Sequence, residues 1–205
     1  MLHCHFYVIN YSIISDILAV FFLHLMNIFS RFWRWLLGLF WTKELTITIV
    51  GLPNAGKSTL VRAIANENTE EATVPTIGAN VSSVTVGNVV FKIHDIGGHQ
   101  MYHYLWEVYC QTANVVVYVL DSADSESIGT CEVQIESLFN NDSISSIPII
   151  IVANKQDLPG CLSSEELQAR LKIQQNDDRK VSIFSLSAKT KANLEPLVRY
   201  LIDNF

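Results

Sequence analysis

Gly51-Leu52-Pro53-Asn54-Ala55-Gly56-Lys57-Ser58 stands between a short β-branched run, residues 45–50, and a segment, 57–65, whose apolar residues have helical spacing. A G-x-x-x-x-G-K-S stretch with a strand before it and a helix after it is a phosphate-binding loop. Its glycines let the backbone curl until successive N–H groups face phosphate oxygens, and the helix starting near Lys57 adds the positive end of its dipole. The motif assigns contacts with a nucleotide to Gly51, Asn54, Ala55, Gly56, Lys57, Ser58 and Thr59. Lys57 is expected to reach the β- and γ-phosphates, and the Ser58 hydroxyl to hold Mg²⁺. A glycine-rich turn with a chance Lys-Ser is the plainer alternative, but the complete motif sits in its proper context.

Outward from this loop the chain alternates strand and helix signals. Residues 80–86 and 89–94 are strand candidates separated only by Gly87-Asn88, a hairpin signal. Residues 114–120 and 147–153 are near-continuous β-branched runs, as in parallel strands covered on both faces. Residues 125–139 fit an amphipathic helix, and 181–186 a last strand. Leu194, Leu197, Val198, Leu201 and Ile202 then form the stripe of a core-facing helix. The expected fold class is α/β, a phosphate-loop three-layer sandwich around a mostly parallel six-stranded sheet.

The 205 residues are 49% apolar with a net charge of −6, enough for one globular domain with an appendage and too apolar for disorder. The acidic balance argues against nucleic acid as a partner. Cys4, Cys110, Cys131 and Cys161 form no C-x-x-C pair, so reduced thiols are expected rather than disulfides or a metal cluster.

Three further motifs have chemistry attached. Asn154-Lys155-Gln156-Asp157 follows a buried strand, at the carboxyl edge where doubly wound sheets bind ligands. A carboxylate at Asp157 can accept both the ring N–H and the exocyclic amine of guanine, donors that adenine lacks there. Lys155 would lie along the base and Asn154 would tie loops together, while a backbone N–H from Ser187-Ala188-Lys189 would meet the base oxygen. In Asp95-Ile96-Gly97-Gly98, Asp95 is placed to hold Mg²⁺ through water, and the Gly98 N–H to meet a γ-phosphate. The Thr76 hydroxyl, in Pro75-Thr76-Ile77-Gly78, would complete the Mg²⁺ shell only when a γ-phosphate is present, an order–disorder switch.

These five blocks, in this order, resemble the Ras-like small GTPases. P-T-I-G at 75–78 and D-I-G-G at 95–98 resemble the Arf/Arf-like branch. Phe40-Trp41-Thr42-Lys43-Glu44, Gly87-Asn88-Val89, Trp106-Glu107-Val108-Tyr109-Cys110 and Asn154-Lys155-Gln156-Asp157-Leu158-Pro159-Gly160 look like Arf-like subgroup eight, the lysosomal branch. The resemblance covers roughly residues 26–205. It implies a GTP/GDP switch with an N-terminal amphipathic membrane helix. It also implies a hairpin at about 80–94 that shifts register on activation. Effector, exchange and activating proteins would dock at that hairpin and the switch loops. The implied location is the cytoplasmic face of an intracellular membrane, lysosomal or late endosomal.

The chain departs from that pattern at three positions. His99 stands where the family has the glutamine that orients the attacking water, so it is both the catalytic candidate and the reason to expect slow turnover. Ala79 and His94 replace two of three aromatic residues on the effector face, leaving Tyr109. His94, His99 and His103 lie close in sequence, but no other ligand spacing accompanies them as a metal site would require.

Residues 26–44 carry Arg31, Arg34 and Lys43, and 26–41 combine a wide apolar face with a narrow polar stripe. Such a helix lies in a bilayer interface, or else packs on its own domain. No glycine follows Met1 or Met26, so myristoylation is not expected. Residues 1–25 are an apolar extension outside the resemblance, with Asp16 as their one charge. A mis-assigned start with Met26 as the true one, a signal anchor, and a membrane-lying segment remain alternatives. The expected domains are therefore 1–25, 26–44 and a GTP-binding domain at 45–205. A GTP-loaded scaffold with little hydrolysis is one alternative function. A membrane-spanning receptor subunit of Arf-like type is another.

Overall fold

The computed structural model describes residues 26, 29, 30, 42–71, 73–171 and 179–205. The chain divides between Thr42 and Lys43. Before that division Met26, Phe29 and Ser30 are helical. The rest of the extension expected at 1–25 and of the amphipathic helix expected at 26–41 lies outside the described residues.

From Lys43 onward six strands form one sheet: β1 (Lys43–Val50), β2 (Ala79–Val86), β3 (Val89–Ile96), β4 (Val115–Asp121), β5 (Ile149–Asn154) and β6 (Val181–Ser185). Their order is β2-β3-β1-β4-β5-β6, with β2 antiparallel to β3 and every other neighbouring pair parallel. β4 and β5 read as unbroken apolar runs because both of their faces are covered. One face packs Ile47, Ile49, Val117 and Val152 against Leu60 and Ala63 of α1 (Lys57–Ile64) and Leu197 and Leu201 of α5 (Leu194–Asn204). The opposite face packs Tyr118, Leu120 and Ile151 against Trp106 of α2 (His103–Cys110), Ile135 of α3 (Ile128–Phe139) and Leu167 of α4 (Ser164–Arg170). This is the expected three-layer sandwich.

The expected and observed elements differ at their ends. β1 starts at Lys43, and Lys43 and Glu44 pair with Val89 and Val90, inside the segment 26–44 expected to precede the GTP-binding domain. The helix expected from 125 starts at Ile128, because Asp124 takes the Ser127 N–H on its side chain at 3.3 Å and turns the chain first. The sequence pattern missed α2 and α4. α4 carried a usable signal, Ser163 and Glu166, which form a capping box. α2 is short, and its aromatic residues leave no clean apolar stripe.

Buried Arg179 gathers the carbonyls of Leu138, Ile144 and Ser145, closing the chain segment that follows α3. Cys110 and Cys131 are buried free thiols, and burial pushes the Cys110 thiol up to about 12. Ile151→Ala, in the centre of β5, is expected to lower unfolding free energy by about 2–5 kcal/mol, measured by denaturant titration.

Candidate functional site

The turn between β1 and α1 is shaped by one steric demand. Gly56 has φ +91°, and a Cβ on it would lie 2.2 Å from Asn154 Nδ2. Only glycine permits that approach. Lys57 reaches back over the turn, and its Nζ donates to Gly51 O at 3.0 Å and Leu52 O at 2.8 Å. It is 6% exposed, and burial lowers its pKa to about 8, against the opposing pull of Asp95. A cavity of about 250 Å³ opens here, lined by Asn54, Gly56, Lys57, Ser58 and Thr59 from the turn and by Thr76, Gly98, His99 and Lys155 from elsewhere.

Below Lys57 three oxygens converge. Ser58 Oγ donates to Asp95 Oδ2 at 2.5 Å, Thr76 Oγ1 to the same atom at 3.4 Å, and the two hydroxyls are 3.0 Å apart. Asp95 is 2% exposed, and its Oδ1 is buried without a hydrogen-bond partner. Burial raises the Asp95 pKa, and Ser58, Lys57 and Thr76 pull it back. A lone buried carboxylate oxygen beside two hydroxyls is a hard-oxygen set suited to Mg²⁺, which accepts few protein ligands and shares its shell with phosphates. Gly98 lies against the turn, where a Cβ would come within 2.5 Å of Leu52 C and Pro53 N. His99 is exposed on the rim of the cavity.

The third part lies at the ends of β5 and β6. Asn154 Nδ2 donates to Ala55 O at 2.8 Å, and Asn154 Oδ1 accepts from Ala188 N at 2.9 Å. Asp157 Oδ1 accepts from Ser187 Oγ at 2.6 Å, and the Asp157 residue is otherwise exposed. Lys155 has φ +65° and forms an ion pair with Asp121 Oδ2 at 2.7 Å. Within 187–189 the Ser187 N–H donates to Ala192 O and the Ala188 N–H to Asn154, so two of the three N–H groups are engaged inside the protein.

Several supporting residues escaped the sequence pattern. Asp121 orients Lys155, and its signal was a charged residue closing a buried strand at the ligand edge. Ser122 donates to Asn154 O at 2.5 Å, and Gln156 Nε2 to Ser122 Oγ at 3.0 Å. The histidines play separate parts. His94 is buried, with Nδ1 3.3 Å from Thr48 Oγ1 and its ring edge-on to Tyr109, and burial lowers its pKa. Its imidazole is therefore buried rather than displayed in place of the aromatic residue it replaces. His103 packs on Trp106 at 4.4 Å between ring centroids. Among the described residues no group of three or more His, Cys, Asp or Glu is arranged to hold a metal ion.

Comparison with known proteins agrees with this fold. The model of the ADP-ribosylation factor family matches residues 31–205. ADP-ribosylation factor-like protein 8b of Arabidopsis thaliana is 33% identical over 179 residues, covering 87% of this chain and 97% of that protein. The solved Arl6 (BBS3) small GTPase of Trypanosoma brucei, with bound nucleotide analogue GppNp, shares the fold with a TM-score of 0.71. Its sequence identity is 24%, over 78% of this chain and 96% of that one.

A phosphate anion beside Lys57 favours its protonated form, so binding above pH 8 must take up a proton. Guanine-nucleotide affinity is expected to fall between pH 7.5 and 9, by at most about tenfold per pH unit, in fluorescent-nucleotide titrations. Asp157→Asn is expected to weaken GDP binding by ~10² or more in the same assay.

Proposed function

The chain belongs to the ADP-ribosylation factor family of small GTPases, and on that premise we propose that it is a membrane-associated GTP/GDP switch recruiting effectors in vesicle or lysosome trafficking. The observation that carries this reading is the convergence of Ser58, Thr76 and Asp95 beneath Lys57, on the same sheet edge as Asp157. Gly51, Asn54, Ala55, Gly56 and Thr59 would shape the phosphate site, and Ser58, Thr76 and Asp95 would hold Mg²⁺. That ion, when bound, supplies positive charge against the β- and γ-phosphates. Asp157 would select guanine, Lys155 would lie along the base, and Asn154 would hold the loops around it. With Ser187 and Ala188 N–H groups engaged, the contact to the base oxygen falls to Lys189 or to sharing of the Ala188 N–H.

A switch needs a part that senses the γ-phosphate. Thr76 and Gly98 both line the cavity, and they would do so, the Thr76 hydroxyl through Mg²⁺ and the Gly98 N–H directly. Around Thr76 and along the segment after Gly98 the apolar side chains of Val74, Ile77, Met101, Tyr104 and Val108 are exposed, and they would suit effector, exchange and activating proteins. Residues 26–41 would supply the membrane contact, and 1–25 stay as the extension described above. Resemblance to subgroup eight, together with the name of the Arabidopsis relative, supports the cytoplasmic face of a lysosomal or late endosomal membrane.

His99 decides how fast the switch turns off. An exposed imidazole at the rim positions water less well than a glutamine amide, so hydrolysis is slow, or nearly absent in a scaffold that stays loaded with GTP. No helix among the described residues is long and apolar enough to cross a membrane, so nothing there favours the receptor-subunit alternative.

Single-turnover GTP hydrolysis by the full chain separates these outcomes. His99→Gln is expected to raise the rate by roughly tenfold or more. Equal rates in the two proteins would show that residue 99 does not limit turnover. Retention of adenine nucleotides as readily as guanine nucleotides would overturn the switch reading itself.

A further inference from the structure

Thr69 belongs to none of the motifs, yet it is buried, 8% exposed, and its hydroxyl donates to Lys189 O at 2.7 Å across 120 residues of sequence. The acceptor is one half of a peptide unit whose other half, the Thr190 N–H, donates to Ser187 Oγ at 3.2 Å. Ser187 Oγ in turn donates to Asp157 Oδ1 at 2.6 Å. A peptide unit is planar, so fixing its oxygen fixes the direction of its N–H. Thr69, the 189–190 peptide, Ser187 and Asp157 therefore form one hydrogen-bonded chain, in which each bond polarises and orients the next.

Thr69 can do this because its own position is fixed. The turn after α1 is closed by Asn66 N to Ala63 O at 3.0 Å and Glu67 N to Arg62 O at 2.9 Å, with Asn66 at φ +57°. Asn68 Oδ1 accepts from Glu70 N at 3.0 Å, bracing the residues on either side of Thr69. A second, exposed bond from Lys191 Nζ to Asn66 Oδ1 at 2.9 Å joins the same two loops.

We propose that Thr69 is a positioning residue for purine selection, holding the 189–190 peptide so that Ser187 keeps the Asp157 carboxylate aimed at the base. The proposal rests on the guanine-nucleotide reading of the site and deepens it. The Thr69 hydroxyl is committed to the Lys189 carbonyl rather than to the base. It acts through Asp157, so its removal degrades recognition of the exocyclic amine more than binding of the phosphates. Inosine is guanine without that amine, which makes the ratio of GDP to IDP affinity the direct readout.

The test is titration of the full chain with GDP and IDP, competing against a fluorescent guanine nucleotide, for wild type, Thr69→Val and Thr69→Ser. Thr69→Val is expected to weaken GDP roughly two- to tenfold, the range of one lost hydrogen bond, with a smaller effect on IDP, so that the ratio narrows. Thr69→Ser retains the hydroxyl and is expected to restore the wild-type ratio. A Thr69→Val protein with the wild-type GDP/IDP ratio overturns the proposal while leaving the guanine site standing. Failure of Thr69→Ser to recover the ratio also overturns it, because the effect would then come from packing. A wild-type chain that binds GDP and IDP equally overturns the role of Asp157 and the proposal with it.

Discussion

One side-chain amide holds the site together. Asn154 donates to the carbonyl of Ala55 and accepts from the N–H of Ala188, so the phosphate turn, the end of β5 and the turn after β6 share a single rigid group. Both bonds are buried, where an unmet amide costs far more than one facing water. The approach is so close that residue 56 has to be glycine. Two loops that would otherwise move independently are locked at a fixed separation.

The sheet sets the rest. Parallel strands deliver all of their carboxyl ends to one edge, so β1, β5 and β6 place the phosphate turn, the Asn154–Asp157 loop and the 187–189 turn side by side. β3 is parallel to β1 and brings Asp95 opposite Ile49, near the start of the turn. The strand ends are buried, so charged groups there carry unusual burdens. Lys57 is driven toward neutrality and Asp95 toward protonation, each partly rescued by the other. An anion and a divalent cation would relieve both at once.

Much of this was legible beforehand because the informative residues are local. Glycine spacing, a Lys-Ser pair and a β-branched run fall within twenty consecutive residues and describe a strand, a turn and a helix start together. The Asn154–Asp157 loop was legible for the same reason, since it directly follows a strand whose burial shows in its composition. What escaped depends on distant partners. Asp121 matters only because β4 ends beside β5, and Thr69 only because the turn after α1 meets the turn after β6. His94 looked like a surface replacement for an aromatic residue until its ring proved to be packed under Tyr109. α2 went unseen because its stability comes from Trp106 entering the core rather than from helical spacing of small apolar groups.

The thiols have a practical consequence. Cys110 and Cys131 are sealed in the core, and desolvation suppresses their reactive thiolate forms. Among the described residues this leaves Cys161 as the accessible thiol, 3.4 Å from Gln156 Oε1 in the loop after β5. A maleimide dye coupled there would sit next to the loop that holds Asn154 and Asp157. The native GTP-binding domain thus offers its own attachment point for a fluorescent reporter of nucleotide loading.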